Sequence, residues 1–336
     1  MELLQLQHND GIAPTVGEII EEVIDEIEIE PAASPFIEAN TVQATLQDVN
    51  RNHIIPVWVK DNEPVISHAE FISSTLNTIS EVFHGETVLK PNIRLSHPIK
   101  GRIPEAKNKA AIDLLEHEKT LYYERMAFVV EIPSITTDVG GNKLNLTVGG
   151  VKAYNLDNLY NRSGADQHFK FFIGFENKVC TNLSVTTDGY LANLKVKNLD
   201  MLRYSMMSLL KDFNAVKLSE QLQSFSQYEL TEHQFATLIG RCRMYRHLPD
   251  NLKQEIPELM FGESQVNAIC NDYYRDKYFC RSQSGNINLW NLYNLFTGAN
   301  KSSYIDSFLD RSVNAHQLTV ELQSAIMNRS DCWYLN

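Results

Sequence analysis

This sequence predicts an α+β fold, strands first and helices later, and three patterns carry the expectation. Apolar residues alternate at period two through about residues 126–197. Residues 201–336 carry apolar stripes at helical spacing instead. The first 50 residues hold 11 acids and neither Lys nor Arg. The chain therefore reads as an acidic arm and linker (1–50), a mixed region with an antiparallel meander (51–200), and a helical region packed on the sheet (201–336). At 336 residues it can bury one large core or two ordinary ones without disulfide or metal staples.

In the arm, GEIIEEVIDEIEIEP places Ile19, Ile20, Val23, Ile24 and Ile27 on one helical face and carboxylates on the other. Three readings stand: a solvated acidic tail, a short amphipathic helix that docks on a partner, and a strand at IEIE. The PAASP segment after it reads as a linker. HIIPVWVKDNEPVI is a strand with turns, confined to an edge by Pro56 and Pro64. Ser67-His-Ala-Glu70 is a capping box for a helix burying Phe71, Ile72, Leu76 and Ile79. Residues 90–109 are extended or looped, and a helix from about Glu105 through Tyr123 follows.

The meander is the clearest pattern. Phe128, Val130 and Ile132 alternate before a Gly140-Gly141-Asn142 turn, and Leu144, Leu146 and Val148 alternate after it. Phe169, Phe171, Ile173 and Phe175 form a third strand. A Glu176-Asn177 turn leads to Val179–Val185, and an Asp188-Gly189 hairpin leads to Ala192, Leu194 and Val196. That makes five strands with one apolar face, which the later helices cover. Those helices are Leu199–Phe213, a segment opened by the Thr231–Gln234 capping box and running towards Tyr245, a Leu289/Leu292/Tyr293/Phe296 stripe, and one beginning at Tyr304, Phe308 and Leu309.

Composition excludes several function classes. No stretch has the roughly 18 apolar residues that a membrane span requires. The N-terminus lacks the basic segment of a secretory signal, and five cysteines without C-x-x-C spacing suit reduced thiols in a cytoplasm. There is no Walker loop, dinucleotide fingerprint, zinc-protease helix or nucleophile elbow; the Gly140-Gly141 and Gly149-Gly150 pairs read as turns. Asp306 and Asp310 share a helical face, as metal ligands could, but solvated charge is the commoner cause. No catalytic residue, cofactor or metal site is predicted.

The formal charge of -12 belongs almost wholly to the arm, since residues 51–336 hold 31 acids against 30 bases. Within that near-neutral body lie three basic clusters. Lys100 and Arg102 stand in the first, at residues 90–109. Arg241 and Arg243 flank Tyr245 in the second. Tyr274, Arg275, Lys277 and Tyr278 form the third, YYRDKYFCR. Stacking rings interleaved with cations suit single-stranded nucleic acid, whereas core-facing tyrosines beside solvated arginines are the structural alternative.

RLSHPIKGRIPEA, LYYERMAFVVEIPSI, LTVGGVKAYNLDNLY and HFKFFIGFENKVCTNLSVTTDGY resemble an uncharacterised protein family of Bacteroides-group genomes and their mobile elements. More distantly, VCTNL and NLWNLYNLFTG are similar to a phage- and plasmid-related family of unknown function. The resemblance implies a mobile-element context and carries no activity onto any residue. In that context the first expectation is a non-enzymatic single-stranded-DNA-binding protein of replication or recombination, its meander loosely similar to the core of single-strand annealing proteins. The second is a counter-defence or regulatory factor that binds a protein partner through residues 18–30. A metal-dependent nuclease is third. Meander edges permit oligomers.

Overall fold

The computed structural model describes residues 34–52, 54–58, 65–158 and 165–336. The predicted amphipathic segment at 18–30 lies outside the described residues. From Pro35 onward the chain forms one compact unit. Its α+β class is as the sequence predicts.

The chain enters through β1 (Val42–Ala44), α1 (Leu46–Asn52), β2 (Ile55–Pro56) and α2 (His68–Val82). Residues 35–52 therefore pack with the body, although their charge groups them with the arm: Phe36 and Ile37 are buried, and β1 pairs with β3 (Asn92–Leu95). The capping box at the start of α2 forms as expected, with Ser67 Oγ accepting from Glu70 N at 3.1 Å and Ser67 N donating to the Glu70 carboxylate at 2.8 Å.

Residues 105–123 depart from the predicted helix. They form three single 3₁₀ turns (Pro104–Ala106, Ala111–Asp113, Glu116–Glu118) and β5 (Lys119–Tyr123), which pairs with β4 (Pro98–Arg102). The cause is Arg102. Its buried guanidinium donates to the carbonyls of Ala106, Lys107 and Lys109, which a helix would need for its own ladder. Glu118 reinforces the loop by pairing with Lys109 and accepting from Leu115 N. β2, β4 and β5 form a small antiparallel sheet of their own.

The main sheet runs β1-β3-β6-β7-β8-β10, with every neighbour antiparallel, where β6 is Arg125–Val139, β7 Asn142–Ala153, β8 Gln167–Asn177 and β10 Tyr190–Val196. α3 (Tyr154–Asn158) follows β7. Gly140 and Gly141 make the β6–β7 turn at φ of +57° and +78°, conformations that a side chain resists. The other glycine pair is no turn. Gly149 and Gly150 lie within β7, where a methyl on Gly150 would come 2.5 Å from the Phe71 ring.

The meander is shorter than five strands. β9 (Leu183–Ser184) pairs with the end of β8, and β10 pairs with its beginning. The Asp188-Gly189 segment is a 3₁₀ turn interrupting one return strand rather than a hairpin between two. Residues 178–181 make the actual reversal, with Thr181 at φ +57°.

The sheet is covered on two faces, not one. Phe128, Val130, Leu146, Phe171 and Ile173 join the large core with α2, α4 (Leu199–Asp212), α5 (Ala215–Phe225), α6 (Glu232–Tyr245) and α8 (Glu263–Arg275), the short α7 (Asp250–Lys253) lying between the last two. α9 (Leu289–Asn300) is buried nearly all round, and β11 (Glu229–Leu230) pairs with β12 (Ile287–Asn288) just before it. On the opposite face, Ala127, Val129, Val151 and Phe172 meet Phe36, Ile37 and the first turns of α10 (Ile305–Asn328). No described helix is long and apolar enough to cross a membrane.

Candidate nucleic-acid interface

α6 and α8 lie antiparallel. Phe235 and Tyr273 stack between them with centroids 3.9 Å apart. At one end Arg243 pairs with Glu263 at 3.0 Å and also donates to Asn267. At the other, Glu232 accepts from Tyr274 Oη at 3.1 Å and pairs with Arg281 at 3.6 Å. The second and third basic clusters thus occupy opposite ends of one helix pair, roughly 16 Å apart along the axis.

The third cluster is the better formed. α8 ends where Asp276 Oδ1 accepts from the backbone N–H groups of Tyr278 and Phe279, both at 2.7 Å. This Asx turn sends Phe279 inward and Tyr278 outward. Tyr273 is buried, while Tyr274 and Tyr278 are 54% and 49% exposed. A cation lies near each outer ring: the Arg281 guanidinium is 4.8 Å from the Tyr274 centroid, and Lys277 Nζ is 4.9 Å from that of Tyr278. Arg275 is exposed beside them. The hydrogen bond to Glu232 raises the Tyr274 phenol above its ordinary pKa, keeping it neutral.

Two predicted contact residues are corrected. Arg102 is 0% exposed and holds the 104–109 loop through backbone carbonyls, so no phosphate reaches it. Tyr245 is 8% exposed, packed beside Trp333 and Tyr334 at 6.3 and 6.4 Å, and offers no free face for a base. Of their neighbours, Arg241 lies over Trp333 at 5.0 Å and donates to the backbone oxygen of Asn336 at 2.6 Å. Lys100 is exposed on the separate small sheet, opposite Leu121. Arg102→Ala is expected to destabilise the fold by about 2 kcal/mol, by stranding carbonyls, while leaving nucleic-acid affinity unchanged. Urea denaturation beside a binding titration checks this, and a loss of affinity in the folded variant would contradict it.

Sequence reasoning missed two buried polar clusters. Lys152 is fully buried, with its ammonium 2.5 Å from Asp157 and 4.1 Å from the Phe169 centroid. Beside it the His68 ring packs at a tilt against Tyr154, centroids 4.5 Å apart, and hydrogen-bonds the Tyr123 carbonyl at 2.7 Å. In the second cluster Asn182 donates to the Asn294 carbonyl at 3.0 Å, and Lys301 donates to Cys180 O and Thr181 Oγ1. The strings VCTNL and NLWNLYNLFTG, far apart in sequence, are thus in contact. Burial of Glu176 alongside, with Glu131 near it, pushes its carboxyl up to about 8.

Asp306 and Asp310 are part-exposed and both engage cations of the sheet. Asp310 accepts from Lys170 at 2.5 Å and from Tyr190 Oη at 2.7 Å, and Asp306 lies 3.6 Å from Arg125. They tie α10 to the sheet. Among the described residues no three His, Cys, Asp or Glu side chains cluster as metal ligands.

The molecule is an α+β protein with one dominant antiparallel sheet, a helical cover and a small aromatic–basic surface. Residues 18–335 match the family model described as "Domain of unknown function, B. Theta Gene description (DUF3871)", and the chain belongs to that family. That description agrees with an uncharacterised Bacteroides-group family. No curated protein and no solved structure matches the chain.

Proposed function

We propose that this chain is a non-enzymatic, single-stranded nucleic-acid-binding protein of a bacterial mobile element, acting in the cytoplasm in replication or recombination. The observation that carries the reading is the pair of half-exposed rings, Tyr274 and Tyr278, each beside a cation. Rings of this kind stack bases of any identity, and on this reading the exposed Arg275 and Lys277 meet phosphates.

A salt-titrated anisotropy assay with labelled single strands, run with and without magnesium, tests it. Tyr274→Ala/Tyr278→Ala is expected to weaken binding by about tenfold or more, at roughly 1–3 kcal/mol per stacked base. Arg275→Gln/Lys277→Gln should lower the salt slope by about 1.4. The acidic leader is best removed at residue 33, because Phe36, Ile37 and β1 belong to the body. Its loss takes away nine acids and should tighten binding and steepen the salt dependence. Absence of binding by either form would overturn the proposal in favour of a protein partner at residues 18–30. Cleavage that requires magnesium would favour the nuclease.

A further inference from the structure

We propose that Arg281 is a further phosphate contact of the aromatic surface and that Glu232 is its built-in competitor, held where a phosphate of the strand would bind. The inference rests on the nucleic-acid reading above and deepens it.

One carboxylate engages both groups that a strand needs. Glu232 Oε1 accepts from Tyr274 Oη at 3.1 Å, and Oε2 lies 3.6 Å from Arg281 Nη1. The same guanidinium lies over the Tyr274 ring, 4.8 Å from its centroid. Three features hold the carboxylate there. Glu232 is the first residue of α6, where the helix N-terminus favours negative charge. Tyr274 anchors one oxygen. Gly285, at φ +89°, backs the other so closely that a methyl group in its place would come 3.0 Å from Oε2 and 3.5 Å from Arg281 Nη1.

Carboxylate and phosphate are both oxyanions that the planar guanidinium fork recognises, so the two compete for Arg281. The carboxylate's hold is weak. At 3.6 Å the pair is longer than a charge-assisted hydrogen bond, and its side chains are 36% and 51% exposed. An exposed pair of this kind is worth at most about fivefold in an equilibrium. At the other end of the helix pair Arg243 is held more firmly, 3.0 Å from Glu263 and donating to Asn267 as well. A base that reaches the half-exposed Tyr274 ring brings its flanking phosphates past Arg281, and a phosphate there displaces Glu232. The acid thereby sets how tightly this end of the surface grips a strand.

The test is a double-mutant cycle on the full-length protein, read as the anisotropy of labelled oligothymidylate across a salt titration. Glu232→Gln keeps an acceptor for Tyr274 Oη and removes the charge. It is expected to tighten binding by about fivefold in the parent and to have no effect in an Arg281→Gln background. Arg281→Gln alone should lower the salt slope by about 0.7, the share of one phosphate contact. Equal tightening in both backgrounds would reduce Glu232 to general repulsion and overturn the proposal. So would a parent that binds beside a Glu232→Gln variant that binds no better. Either outcome leaves the nucleic-acid reading standing, whereas absence of binding by the parent and by Glu232→Gln alike overturns both.

Discussion

Asp157→Ala is expected to destabilise the fold by about 3–5 kcal/mol, because it leaves the Lys152 ammonium buried without its counter-ion. The Lys152 side chain has no exposed surface, and its neighbours beyond Asp157 are Gln167 at 3.5 Å and the rings of Phe169 and Tyr154. The rings hold a desolvated cation by about 2 kcal/mol, too little to replace a carboxylate at 2.5 Å. Asp157 also accepts from His168 N at 2.8 Å, so its loss frees one end of β8. Adding Lys152→Met should recover most of the deficit, since methionine fills the same space and carries no charge. The deficit of the single variant also depends on pH. Burial already holds Lys152 below the ordinary lysine value of 10.5, and Asp157 opposes that fall. Without Asp157 the fall deepens, and the folded chain binds fewer protons than the unfolded one across a wider window below 10.5. Stability of the variant therefore climbs with pH through that window. Urea midpoints at several pH values decide the matter, and a change below about 1 kcal/mol would show the pair to be solvated.

Much of this architecture was legible because period-two alternation is a local signal. Phe128, Val130 and Ile132 declare one buried face whatever surrounds them, and the Gly140-Gly141 turn needs only its own backbone. The second covered face was not legible. Ala127, Val129 and Val151 occupy positions that a half-solvated sheet would fill with polar residues, but their partner is α10, some 180 residues later. The loop at 104–118 failed for a related reason. Its composition favours a helix, and only the burial of Arg102 removes the carbonyls that a helix needs. The aromatic–basic surface was half legible. Sequence identified Tyr274 and Tyr278, yet could not separate them from Tyr245, which differs only in facing Trp333 and Tyr334. The Lys152 cluster left no sign in periodicity, since a lysine at a core-facing register reads as an exposed position until its carboxylate partner, five residues on, is folded against it.

Stability is expected to peak near pH 6.5 and to fall on both sides for different reasons. On the acid side, burial lowers His68 from 6.5 to about 3 and His316 to about 4. Between those values and 6.5 the unfolded chain binds the protons that the folded chain refuses, so stability is lost as pH falls. Glu176 works in the opposite direction. Burial raises it from 4.5 to about 8, so between those values the folded chain holds a proton that the unfolded chain has released, and stability is lost as pH rises. From 4.5 to 6.5 two histidines outweigh one carboxyl and the net slope is upward. Above 6.5 the histidines no longer contribute, and Glu176 takes away about 2 kcal/mol by pH 8, while Lys152 and Lys301, which burial holds below 10.5, act in the opposite direction. Below 4.5 the fall steepens, since Glu116 and Glu118, lowered by Lys119 and Lys109, begin to protonate as well. Glu176→Gln keeps the neutral side chain at every pH. It should abolish the alkaline decline and leave the variant more stable than the parent by about 2–4 kcal/mol at pH 8. His68→Gln and His316→Gln should each flatten the acid limb, whatever their effect on stability at pH 7. Urea midpoints from pH 4 to 9 measure both limbs. A slope between pH 6.5 and 8 that Glu176→Gln leaves unchanged would mean that Glu176 is ionised, with Lys178 and Lys301 offsetting its burial.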